Sequence, residues 1–172
     1  MVGCEPSCIS AIKDDWLDLR MNVDDAELRV LADKTMLVEE FIERSWDSHP
    51  RKPEFKIPEG NNQPVLLHGH CHQKALWGMD DPESLLARLA GDRFQLLDSG
   101  CCGMAGSFGF TRDHYDLSLT IAEESLFRLI RQEPDSIVLA SGTSCRHQLH
   151  DGMKCDALHP IEFIARALGL NG

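Results

Sequence analysis

The stretch SGCCGMAGSFGF, residues 99–110, sets Cys101 and Cys102 side by side among Gly100, Gly103, Gly106 and Gly109. Adjacent side chains on an extended backbone point to opposite faces, so two neighbouring thiols can act on one object only if the chain bends. Glycine supplies the bend by reaching conformations closed to other residues, and it exposes amides that can face anionic sulfur. Three chemistries compete for such a pair: a metal or iron–sulfur centre, a redox-active vicinal pair, and two small buried residues. A doublet flanked by glycines is a poor way to fill a core, and neighbouring cysteines bridge only through a strained ring. The metal reading is therefore favoured.

Five further cysteines stand at positions 4, 8, 71, 145 and 155, and a total of seven argues against a closed disulfide framework. Cys4 and Cys155 read as small hydrophobes. In HGHCHQ, a straight strand would put His68, His70 and His72 on one face and Cys71 on the other, so the histidines read as hydrogen-bond partners of sulfur rather than ligands. Lys74, Arg146 and His147 follow cysteines closely and can offset thiolate charge; as solvated surface residues they would be equally ordinary.

The elements that must position these residues follow from the apolar pattern. Ile9, Ile12, Trp16 and Leu19 recur at helical spacing and predict a helix over 9–20. Residues 24–46 read as helical throughout, with Asp24 and Glu27 at capping-box spacing and a break near Thr35. Residues 48–64 carry four of the eight prolines and no apolar period, which predicts an extended internal linker. Three short apolar runs, PVLLH, FQLLD and SIVLA, then alternate with helical segments that begin at Pro82, His114 and Pro160. This pattern predicts one α/β domain over 1–172 with a small, mainly parallel sheet, helices on both faces, and Cys8, Cys71, Cys101, Cys102 and Cys145 at the carboxyl edge of the strands. GCEPSCISAI also resembles ASGTSCRHQL, with Cys8 and Cys145 as counterparts, which suggests a duplicated strand–turn–helix unit whose first strand is cut short at Met1.

With 172 residues, 17 basic and 28 acidic side chains, the chain carries −11 and repels phosphate backbones and anionic lipid. No apolar run approaches the roughly 18 residues of a membrane span, and the first residues have no signal-peptide pattern. Nucleic-acid binding and direct membrane insertion are not expected, and a cytoplasmic location is.

GCEPSC, HGHCHQKAL, DSGCCGMAGSFGF and GTSCRHQL occur in the order and approximate spacing of the cysteine-rich CCG domain. The chain resembles the C-terminal part of FAD-linked oxidases of the glycolate oxidase and D-2-hydroxyglutarate dehydrogenase type, and more distantly the cysteine-rich subunit of heterodisulfide reductase. The resemblance implies an iron–sulfur module, most simply of the [4Fe–4S] type, that relays electrons from a flavin domain oxidising a 2-hydroxy acid. It implies ligation by Cys71, Cys101, Cys102 and Cys145, partnership with flavin-binding and ferredoxin-like domains, FAD on an absent domain, and no catalysis by this chain alone. At Gly142 the sequence departs from the family, whose final CxxC begins there with cysteine; Cys8 is the candidate replacement. A structural zinc-binding or partner-docking domain and a thiol–disulfide protein using Cys101 and Cys102 are the alternatives.

Overall fold

Val65, Leu66 and Leu67 are fully buried, as a strand with both faces covered must be, and they form the middle of the domain. The computed structural model describes residues 1–20, 22–52, 55 and 62–170. Strand β1 (Val2–Gly3) leads to α1 (Pro6–Ser10), which continues through a π-helical turn (Ala11–Asp15) into α2 (Trp16–Asp18). Then come α3 (Asp25–Asp33), β2 (Met36–Leu37), α4 (Val38–Ser45), β3 (Val65–His68), α5 (Cys71–Leu76), α6 (Asp80–Ala90) and β4 (Phe94–Leu96). Helix α7 (Tyr115–Ala122) runs through a second π-helical turn (Glu123–Phe127) into α8 (Arg128–Ile130), followed by β5 (Ile137–Ala140), α9 (Thr143–Met153) and α10 (Pro160–Ala167).

Strands β4, β3 and β5 form a parallel sheet in that order, with Leu66 opposite both Gln95 and Val138. Alternate residues of β3 point to opposite sides. Leu66 packs with Val138, Leu126, Phe127 and Leu149 on one face, while Val65 and Leu67 pack with Leu85, Leu89 and Ile164 on the other. The expected α/β architecture, with a small parallel sheet between helices, is present.

Two expectations need correction. The first helix begins at Pro6 rather than Ile9, because the Glu5 carboxylate accepts from Ser7 N and Oγ and proline suits the first helical turn. The segment 24–46 breaks near Thr35 into two helices, as expected, but the break holds a strand: Met36 and Leu37 pair in parallel with Val2 and Gly3, and the pull of that pairing and of burying Leu37 outweighs the helical period. Asp24 does cap α3, accepting from Ala26 N at 2.7 Å. Of the linker at 48–64, residues 53–54 and 56–61 lie outside the described residues. β1–α1 and β5–α9 share one strand–turn–helix form, as the repeat suggests.

Candidate metal centre

Each strand of the three-stranded sheet ends in a segment that carries thiols. β3 stops at His68, the chain turns at Gly69, and His70 caps α5 by accepting from His72 N at 3.3 Å. A Cβ on Gly69 would meet Met79 Sδ at 2.8 Å, so a side chain at the turn would have to displace the end of Met79. Cys71 opens α5, the doublet follows β4, and Cys145 lies in the first turn of α9 after β5. All four reach the carboxyl edge of the sheet, where parallel folds place their ligands.

There the sulfurs meet. His68, His70, Cys71, Cys101, Cys102 and Cys145 line one cavity of about 280 Å³. Cys71 and Cys102 hydrogen-bond to Cys101, Cys102 also to Cys145, and His68 to Cys145. The bonds donated by Cys102 and Cys71 hold the Cys101 thiol far below its ordinary range, with help from Gly103 N–H, whose nitrogen is 3.3 Å from Sγ. The hydrogen bond from Cys102 draws Cys145 down to about 5 against its burial, and His68 adds to the effect. The donors shift upward: Cys71 through its bond to Cys101 and then burial, Cys102 through its bonds to Cys101 and Cys145 and then burial. Cys101 and Cys145 are thus drawn toward thiolate, the form that binds metal.

The doublet's bend comes from the backbone after it. Gly103, Ala105 and Gly106 have φ of 87°, 44° and 67°, which lets both cysteines face the cavity. Ser125 Oγ donates to Cys101 O at 2.6 Å, and Gln148 Nε2 donates to Ser118 O at 3.0 Å, tying the loop's surroundings to α7 and α9.

The remaining candidates are scattered. Cys8 is exposed on α1 and is not among the cavity's lining residues, although Ser7 is. Cys4 is exposed and Cys155 half-buried against the core. Lys74 Nζ donates to Ser99 O at 2.5 Å and Arg146 donates to Ala140 O and Ser141 O at 2.8 and 2.7 Å, so both fasten the sheet edge. His147 packs edge-on against Phe110.

The bend that convergence of HGHCHQ requires is present: the strand runs from Val65 to His68 and is broken at Gly69. β3 ends before His70, so His68, His70, Cys71 and His72 all line the cavity. Gly69 was the signal for that bend. His68 forms with Cys102 and Cys145 a buried group whose ligand atoms lie within 4.8 Å of one another, a set that can hold a metal ion. Burial lowers the pKa of His70 against the attraction of Cys145 and Glu5, which favours neutral imidazole. Glu5 went unrecognised because its role depends on a distant helix: its carboxylate accepts from Thr143 N at 2.8 Å and Thr143 Oγ1 at 2.7 Å, capping α9 as well as α1.

No protein-family profile matches the chain. It is 29% identical over 169 residues to one subunit of the anaerobic glycerol-3-phosphate dehydrogenase of Escherichia coli (strain K12), an alignment covering 98% of this chain and 40% of that one. It is 26% identical over 163 residues to the D-2-hydroxyglutarate dehydrogenase of the same organism, covering 94% of this chain and 15% of the relative. With the Pseudomonas putida D-2-hydroxyglutarate dehydrogenase it shares 34% identity over 105 residues, 57% of this chain and 10% of the relative. The chain is homologous to parts of two dehydrogenases. The resemblance read from its cysteine motifs, to the cysteine-rich part of FAD-linked oxidases, is borne out. The homologous region spans only two-fifths of the first relative and less than a sixth of the second.

Proposed function

We infer that this chain is a single-domain iron–sulfur electron-transfer module of an FAD-linked oxidoreductase, of the kind that oxidises a 2-hydroxy acid. The observation that carries the reading is the convergence of Cys71, Cys101, Cys102 and Cys145 on one cavity, from three segments far apart in sequence. Their chemistry suits the group: soft thiolates select iron–sulfur clusters and zinc, and hydrogen bonds draw Cys101 and Cys145 toward the anionic form. The cavity is several times the roughly 30 Å³ share of one water, so it has room for more than a bare ion.

A bound cluster would supply a one-electron carrier. The chain's own residues hold and insulate it: Cys102 and Cys145 are buried, Gly103 N–H faces the Cys101 sulfur, and the loop after the doublet closes one wall. Substrate oxidation and FAD belong to partner domains of the same protein or complex, with a ferredoxin-like domain as the neighbouring carrier. A second reading, a mononuclear zinc site, is favoured by the compactness of His68, Cys102 and Cys145.

Anaerobic reconstitution followed by iron, sulfide and zinc analysis decides between them. Stoichiometric sulfide with visible charge-transfer absorption is expected. It should fall sharply in Cys71→Ser, Cys101→Ser, Cys102→Ser and Cys145→Ser, and persist in Cys4→Ser, Cys8→Ser and Cys155→Ser. A colourless zinc protein would replace the reading with the second, and a protein binding neither but cycling a Cys101–Cys102 disulfide would replace both.

A further inference from the structure

The thiol set lacks the cysteine that the resemblance puts at position 142, and the structure shows what fills the gap. A Cβ on Gly142 would lie 2.4 Å from His70 Cδ2 and 3.1 Å from its Nε2. Imidazole has therefore entered the space from which that cysteine would project. A second imidazole stands beside the sulfurs. His68, 1% exposed at the end of the central strand, has a ring nitrogen within 4.8 Å of both the Cys102 and Cys145 sulfurs. Its Nδ1 is engaged with Ser99 Oγ at 2.8 Å, which leaves Nε2 for the thiols.

We propose that His68 Nε2 is a direct ligand of the centre, which is then held by thiolates and one imidazole rather than by thiolates alone. The assignment rests on the metal-binding reading above. On binding, Nε2 gives up its hydrogen bond to Cys145 and its lone pair goes to the metal, while the ring's single proton moves to Nδ1, where Ser99 Oγ accepts it; such an outer hydrogen bond fixes the tautomer and aims the ring. Ser99 is itself held in place by Lys74, which donates to its carbonyl. Burial makes the geometry rigid, because a side chain closed in by the sheet and the doublet loop has no alternative solvent contact. Exchanging a thiolate for neutral imidazole also removes one negative charge, which raises the reduction potential of an iron–sulfur centre.

The test reads the bond directly. The anaerobically reconstituted, reduced protein is prepared with natural and with ¹⁵N-labelled histidine and examined by pulsed electron paramagnetic resonance. A strongly coupled nitrogen that changes with the label, and that is lost in His68→Ala, is expected. In parallel the metal-free protein is titrated with cobalt(II), which needs no cluster: His68→Ala should bind at least about tenfold more weakly with altered d–d bands, and Cys155→Ser should bind as the parent does. A loaded cluster with no strongly coupled histidine nitrogen overturns the assignment while leaving the electron-transfer reading intact. If no cluster forms, cobalt decides: His68-dependent binding upholds the ligand and sinks the electron-transfer reading, and unchanged affinity sinks the ligand. Should His68→Ala fail to fold, the isotope comparison on the parent protein and cobalt binding by His68→Asn decide in its place.

Discussion

Cys101 and Cys155 are both half-buried, yet they depart from ordinary thiol behaviour in opposite directions. Cys101 is drawn down by hydrogen bonds from Cys102 and Cys71, whereas burial first, and then the charge of Asp156, pushes Cys155 up. A group with a lowered pKa is thiolate at lower pH, and thiolate is the nucleophile. In the metal-free protein at pH 6, mass spectrometry should find Cys101 alkylated by iodoacetamide well before Cys155; equal rates would mean that the hydrogen-bonded chain of sulfurs does not persist in solution. Gly142 offers a second test at this scale. Gly142→Cys alone should not add a ligand, because its Cβ meets the His70 ring, whereas Gly142→Cys with His70→Ala opens the space and should raise the number of thiols protected by bound metal by one.

Among the elements, the doublet loop and the two capped helices matter most. A Cβ on Gly103 would stand 2.1 Å from Ser118 O, and the residue's φ of 87° is already disfavoured for side chains. Gly103→Ala should cost more than about 1–2 kcal/mol in chemical denaturation and lower metal loading as well. Glu5 links α1 to α9, and its folded pKa lies below the ordinary glutamate value of 4.5, since hydrogen bonds from Thr143 and Ser7 outweigh the opposing effect of burial. A depressed carboxylate contributes stability above its unfolded pKa and loses it as pH falls through the folded value. Below about pH 4.5 the parent protein should therefore lose stability more steeply than Glu5→Gln, as read from denaturation midpoints across pH. Much of this scale was legible in sequence: three apolar runs of strand length, with proline and glycine punctuating the helices, specify the parallel sheet, and the position of thiols after those runs puts Cys71, Cys101, Cys102 and Cys145 at one edge. What sequence could not reveal depends on contacts between distant segments. Met36 and Leu37 take a strand only because Val2 and Gly3 are beside them, Glu5 reaches α9 across the fold, and His68 meets Cys145 only once β3 and β5 are paired.

For the whole molecule, the four thiols connect segments far apart in sequence that meet where the paired strands β4, β3 and β5 end. Anything that binds the native state and not the unfolded chain stabilises it, by about 2.7 kcal/mol at a hundredfold excess over Kd. Adding metal anaerobically should therefore raise the melting temperature, and Cys102→Ser should abolish most of the rise. Among the described residues no helix is long and apolar enough to cross a membrane. The separation of the thiols along the chain has a mechanical consequence too. A centre that grips Cys71 and Cys145 at once short-circuits everything between them, so that a chain pulled from its ends by optical tweezers would transmit force through the metal–ligand bonds. The roughly 75 enclosed residues, about 250 Å of contour at 3.3–3.6 Å each, would stay hidden from the extension until those bonds ruptured. Metal-free protein should release that length during its first unfolding event, and loaded protein should release it as a separate, later step.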